Sequence, residues 1–201
     1  MTIPASRAAA SVLALSLALS AAACDGDRAT ATGPTTSVRM QAAAPAAQLG
    51  TVLKRAVPLQ HDVTYSATVG SSGGVIRIPE AGLHLVIPRN ALPGGAPITI
   101  SVTAVAGDAV AYEFEPHGVV FDTPLTAIQD LRGTTWSDNT GNSVLEAGYF
   151  ASPNDLDVAS GTALLSDWFP TTFTATGKRL RWGVPHFSGY VIVTGKRPTG
   201  I

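Results

Sequence analysis

The chain has 201 residues, 45% of them hydrophobic and 13% charged, with 13 lysines and arginines against 14 acids for a formal net charge of −1. A balance this close to neutral, with no basic cluster, excludes nucleic acid as the expected partner. The one cysteine, Cys24, excludes an intramolecular disulfide.

In chain order, Met1 to Arg7 carries one positive charge, Ala8 to Ala23 is apolar, and Ala21-Ala22-Ala23 places small residues before Cys24. That layout predicts a secretory signal peptide over residues 1–23, outside the fold. The apolar run falls short of the roughly 20 residues that a membrane-spanning helix needs. Its removal takes Arg7 with it, leaving 12 bases against 14 acids, or −2. Residues 24–49 are rich in Ala, Thr, Pro and Ser; so few large apolar groups predict a disordered tether. Residues 50–201 suit one domain with a hydrophobic core of its own.

Across that domain the apolar runs are short, rich in Val, Ile, Thr and aromatics, and separated by Gly, Pro, Asn and Asp, which is an all-β pattern. The predicted strands are Val52–Ala56, Val63–Val69, Gly74–Ile78, Leu83–Ile87, Ile98–Val105, Val110–Phe114, Thr123–Ile128, Leu145–Phe150, Phe173–Thr176, Leu180–Trp182 and Gly189–Val193. Leu83, Leu85 and Ile87 share one face, and Ile98-Thr99-Ile100-Ser101-Val102 alternates apolar with hydroxyl. Faces of that kind pack as an antiparallel β-sandwich. Asp138-Asn139-Thr140-Gly141-Asn142 reads as a hairpin turn, and the oxygen-ligand spacing of a calcium loop is absent from it.

A cysteine unpaired in an exported chain needs a use. Small residues leading into Cys24 resemble a bacterial lipoprotein lipobox, although Ala21 stands where leucine is usual; plain signal-peptidase cleavage at Ala21-x-Ala23 is the alternative. The resemblance implies an acylated Cys24 and a membrane-anchored protein of the bacterial cell envelope, on its periplasmic or surface face. Asp25 follows, a residue that favours inner-membrane retention in some bacteria, so the choice of membrane stays open. Several acyl chains on one cysteine would hold the protein stably, whereas one binds only marginally.

The other place for chemistry is His186-Phe187-Ser188, between Pro185 and Gly189. A serine hydroxyl beside a peptide carbonyl can attack it, with an imidazole taking the proton. An undistorted strand opposes this: residues 186 and 188 share a face, but attachment points about 6.6 Å apart leave their side chains parallel. A bend is required. Pro185, lacking an N–H, marks an edge or bulge, and Gly189 tolerates unusual φ, so the Phe187–Ser188 peptide is where distortion is expected. The plain alternative has His186 bonded to a backbone group and Ser188 tying a sheet edge.

Gly73-Gly74-Val75-Ile76-Arg77-Ile78-Pro79-Glu80-Ala81-Gly82-Leu83-His84-Leu85-Val86-Ile87-Pro88-Arg89-Asn90-Ala91-Leu92-Pro93, with Ile98–Val102 and Phe114-Glu115-Pro116-His117-Gly118-Val119-Val120-Phe121-Asp122-Thr123-Pro124-Leu125, looks like the ZU-five domain of zonula occludens proteins, Unc-five netrin receptors and ankyrins. The likeness returns at His186–Val193 and is silent over Gln129–Arg181. It implies a β-sandwich used for protein contacts, here with another envelope protein and with no cofactor. Some members cut themselves between Phe and Ser of a His-Phe-Ser motif. Carried over, Ser188 would be the nucleophile, the Phe187 carbonyl the scissile group and His186 the base or proton donor, through an ester that water hydrolyses.

Other sites are weaker. His61, His84, His117 and His186 have no metal-ligand spacing, and His117 reads as a turn residue bonding the neighbouring backbone. No Gly-x-Ser-x-Gly elbow or phosphate-binding glycine loop occurs. Trp136, Trp168 and Trp182 would make a carbohydrate-binding module if exposed in a row, and otherwise serve packing.

Overall fold

Side-chain alternation decides the layering. In the computed structural model, which describes residues 47–136 and 144–196, Leu83, Leu85 and Ile87 are buried, as are Ile100, Val102 and Ala104, while Ser101 and Thr103 between the last three are half-buried. Cys24, the signal peptide, nearly all of the tether and the Asp138–Asn142 turn lie outside the described residues. All described residues belong to one unit, Ala43–Ile201.

The strands are β1 (Gln48–Val52), β2 (Lys54–Leu59), β3 (Val63–Val69), β4 (Gly74–Ile78), β5 (Leu83–Ile87), β6 (Ile98–Ala104), β7 (Gly107–Ala109), β8 (Ala111–Glu115), β9 (Val120–Asp130), β10 (Glu146–Phe150), β11 (Leu156–Asp157), β12 (Thr162–Leu165), β13 (Asp167–Phe169), β14 (Thr171–Phe173), β15 (Arg179–His186) and β16 (Gly189–Lys196). The larger sheet runs β11-β12-β1-β16-β8-β6-β3, with β10 on β16 and β13 on β10; the smaller runs β14-β15-β9-β5-β4, and β2 pairs with β7. The chain is therefore an all-β antiparallel sandwich. Its main core contains Leu85, Ile100, Val102, Phe114, Leu125, Val184, Phe187, Tyr190 and Ile192. A second cluster, with Val52, Phe150, Leu165, Val191 and Val193, packs elsewhere. Successive residues of β16 thus enter different clusters, so both faces of this strand are covered.

Several predicted elements change. Val52–Ala56 is not one strand: β1 ends at Val52, Leu53 donates its N–H to the Ile192 carbonyl at 2.7 Å, and β2 then pairs with β7. Phe173–Thr176 shifts to Thr171–Phe173, because Gly177, at φ 67°, donates its N–H to the Thr174 carbonyl and closes a turn there. β1 begins at Gln48, inside the segment read as tether. The stretch 129–181, which the resemblance leaves unplaced, supplies β10, β11, β12 and β13 to the larger sheet and β14 to the smaller.

Buried polar groups tie the layers together. The Arg55 guanidinium, 5% exposed, donates to the carbonyls of Val105 at 3.1 Å and Ala109, and lies 5.6 Å from the Tyr112 ring centre. The Tyr112 hydroxyl faces the Ala81 carbonyl at 3.0 Å and Gln129 Oε1, and Gln129 Nε2 donates to the carbonyls of Ala81 at 2.9 Å and Asp130 at 2.8 Å. Burial, partly offset by Arg55, pushes Tyr112 up to about 12. Such a network stabilises only while complete.

Tyr112→Phe should therefore cost about 1–3 kcal/mol, the penalty for a buried acceptor left unpaired, read as a lower midpoint in chemical denaturation. A second outcome concerns acid. Hydrogen bonds from the Arg132 guanidinium hold the Asp130 carboxyl down at about 2. A folded value below the unfolded one means that this stabilisation is present above about pH 4 and is lost as pH falls toward 2. Asp130→Asn should flatten that part of the curve of melting temperature against pH.

Candidate functional site

The His186-Phe187-Ser188 tripeptide lies where the chain changes sheets. β15 pairs with β9 in the smaller sheet and β16 with β8, β10 and β1 in the larger, and Phe187 and Ser188 form the bend between them. Approaching it, the β15/β9 register slips: Val184 lies opposite Leu125, but His186 lies opposite Val120. Pro185 and Pro124 both fall within the slip, where a residue without an N–H leaves no ladder donor unpaired. The register thus slips at Pro185, the expected place of an edge or bulge, and the chain bends at Phe187 and Ser188.

The backbone of the bend is held from one side. Phe187 N–H donates to the Val119 carbonyl at 2.9 Å, and the Phe187 carbonyl accepts from Gly118 N–H at 3.4 Å. Gly118 is at φ 81°, a conformation that costs a residue with a side chain. The Ser188 carbonyl accepts from Phe114 N–H at 3.0 Å. The Phe187 ring is 1% exposed, stacked on Phe114 at 6.3 Å and edge-on to Phe121 at 4.7 Å.

His186 takes another direction. Its ring packs edge-on against Tyr149 at 4.9 Å, and Nδ1 lies 3.4 Å from the Tyr190 hydroxyl, which donates its proton to the His186 carbonyl at 2.9 Å. With that proton committed, Nδ1 is left as the donor in the longer contact. Burial pushes the Tyr190 hydroxyl above the ordinary phenol value. Among the described hydrogen bonds none joins His186 to Ser188. The plain alternative is also modified: the His186 ring meets a tyrosine hydroxyl, and Ser188 ties the sheet through its main chain.

Two further expectations are corrected. Gly189 is needed for space and not for unusual φ, since a Cβ there would stand 2.2 Å from the Phe150 ring. His117 sits in the turn after β8, but its Nε2 lies 3.6 Å from the Glu113 carboxylate, not on backbone; a residue four positions back on the strand is within reach because the chain doubles back. Burial raises the Glu113 carboxyl, and the His117 charge partly offsets this.

Elsewhere, Trp182 is 3% exposed in the core while Trp136 and Trp168 are half-buried, so the three do not form an exposed row. Trp136 stacks on Phe173 at 5.8 Å. His61, His84, His117 and His186 are dispersed, and among the described residues no three His, Cys, Asp or Glu side chains gather as a metal would require. A cleft of about 600 Å³ is lined by Arg55, Glu80, Gln129, Asp130 and Arg132, away from the bend. Nothing in the sequence signals Gly118 as a donor to Phe187, since the two are distant in the chain.

Comparison with known families places a ZU5 domain at residues 65–125, from within β3 to within β9. That stretch contains Phe114, Gly118 and Phe121, which surround Phe187. No curated protein matches the chain.

Gly189→Ala should displace the Phe150 ring and cost about 1–3 kcal/mol, the usual penalty for overpacking a core. A lower thermal midpoint with unchanged far-ultraviolet dichroism is the expected result.

Proposed function

From the ZU5 domain at residues 65–125, we propose that this chain is an exported bacterial envelope protein, held by a lipid on Cys24 and presenting its β-sandwich as a protein-interaction module. The observation that carries the module reading is the ZU5 match within an all-β sandwich. Among the described hydrogen bonds none joins Ser188 to an imidazole, which favours the module over self-cleavage. The anchor is supported by the small residues before Cys24 and by the absence of a second cysteine. The residues between Cys24 and β1 would then space the sandwich from the bilayer, and its partner would be another envelope protein.

A second reading, self-cleavage between Phe187 and Ser188, is favoured by the bend and by the Gly118 N–H on the Phe187 carbonyl, a donor that would steady charge developing on that oxygen. Ser188 Oγ would bond to the Phe187 carbonyl carbon as the C–N bond breaks, its proton passing, directly or through His186, to the Ser188 nitrogen. The nitrogen leaves as an amine, and water splits the resulting ester to a carboxylate at Phe187 and a free hydroxyl at Ser188. Contacts of the Phe187 ring and of β16 would keep both pieces in place.

Fractionation of cells fed a labelled fatty acid should find the wild-type chain labelled and in the membrane fraction, and Cys24→Ser unlabelled. A mature wild-type chain with a free Cys24 thiol would contradict the anchor. Intact-mass spectrometry under denaturing conditions separates the two site readings: the module predicts an uncut Phe187–Ser188 bond in both wild type and Ser188→Ala. A fragment beginning at Ser188 in the wild type alone would establish the cleavage.

A further inference from the structure

β3 is the outer strand of the larger sheet, and among the described residues it pairs only with β6. Its other edge therefore offers a row of N–H and C=O groups, the kind of template that proteins usually blunt with a charge, a proline, a bulge or a very short strand. The other outer strands show such devices: β4 carries Arg77, β11 has two residues and β14 three. β3 has none. Its seven residues, Val63-Thr64-Tyr65-Ser66-Ala67-Thr68-Val69, are uncharged and run in unbroken register against β6, from Val63 opposite Ala104 to Val69 opposite Ile98.

The order of those residues is nearly the same in both directions about Ser66. An antiparallel copy turned about a two-fold axis at Ser66 would set Ser66 on Ser66, Thr64 on Thr68, Val63 on Val69, and the large Tyr65 on the small Ala67. Tyr65 is already steadied by its hydroxyl bond to Glu80 at 3.1 Å. Asp62 would fall opposite Gly70, so no like charges meet, a juxtaposition that would oppose pairing.

The exposed face of β3 shows what such an encounter forms. Across to β6, Thr64 bonds Thr103 at 2.8 Å, Ser66 bonds Ser101 at 2.8 Å and Thr68 bonds Thr99 at 3.0 Å. A hydroxyl both donates and accepts, so each of these can serve a second neighbour on its free side. We propose that β3 pairs with β3 of a second copy about a two-fold axis at Ser66, joining two larger sheets into one and extending the three hydroxyl rows across four strands. The contact is self-complementary, so it closes at two copies and covers the edge that would otherwise recruit strands indefinitely. An unrelated peptide could match the backbone of β3 but would have no reason to match this order of side chains.

The test is site-specific crosslinking of the full chain in membranes under oxidising conditions, read on non-reducing gels, with wild type reporting any crosslink through Cys24. Ser66→Cys should give a disulfide-linked dimer. Thr64→Cys and Thr68→Cys should each give none alone, because paired copies hold like positions about 13 Å apart, well beyond the roughly 7 Å limit between Cα atoms for a disulfide. The two co-expressed should crosslink to each other. No dimer from Ser66→Cys, or equal crosslinking at all three positions, would overturn the proposal. Sedimentation of the wild type in detergent provides a second measurement, expected to show a dimer that dissociates on dilution; a monomer at every concentration would also overturn it.

Discussion

The Phe187 ring lies between the sheets at the point where its own backbone passes from one to the other. Burial of a phenylalanine is worth about 1.5–3 kcal/mol before any ring pairing is counted, and this ring meets both Phe114 of the larger sheet and Phe121 of the smaller. Much else follows from that placement. β15 must slip its register to deliver residue 187 inward, which puts Pro124 and Pro185 where ladder donors are not wanted. β16 must start at once beside Phe150, which leaves room only for glycine at 189. From there β16 runs through the larger sheet with both faces covered, which explains why Tyr190-Val191-Ile192-Val193 is apolar without alternation.

The same placement shapes what chemistry the bend can do. Its backbone groups are engaged by Val119, Gly118 and Phe114, so the strand-to-strand path is well supported, and one of those bonds falls on the carbonyl that a nucleophile would attack. The His186 ring packs against Tyr149 and Tyr190, and among the described hydrogen bonds none joins it to Ser188. A corner whose backbone is held by Val119, Gly118 and Phe114 is suited to a scaffold. The exposed hydroxyl face of β3 and the cleft beside Arg55 lie away from the corner, so contacts made there need not disturb it.

Much of this was legible in the sequence, for reasons that differ by region. β3, β4 and β5 match their predicted limits because alternation, β-branched residues and flanking Gly or Pro all agree there. The region after Gln129 was harder: β11, β12 and β13 have two to four residues each, too few to show a period. Val52–Ala56 reads as one apolar run, yet Leu53 is where the chain leaves the larger sheet for β7, a change set by long-range partners. Pro185 did announce the slip before the bend. His117 and Gly189 were misassigned because their roles depend on Glu113 and Phe150, which only the fold brings near. The Arg55, Tyr112 and Gln129 network had no local signature, since each is a lone polar residue in an otherwise ordinary strand.

Hydrogen exchange on the full chain tests most directly whether the Phe187 corner locks the two sheets together. The Phe187 amide, bonded to Val119, should exchange as slowly as those of β16 from Tyr190 to Val193, opening only with global unfolding. Rapid exchange at Phe187 while β16 stays protected would contradict the account, because the corner would then open on its own and the sheets would hold together without it.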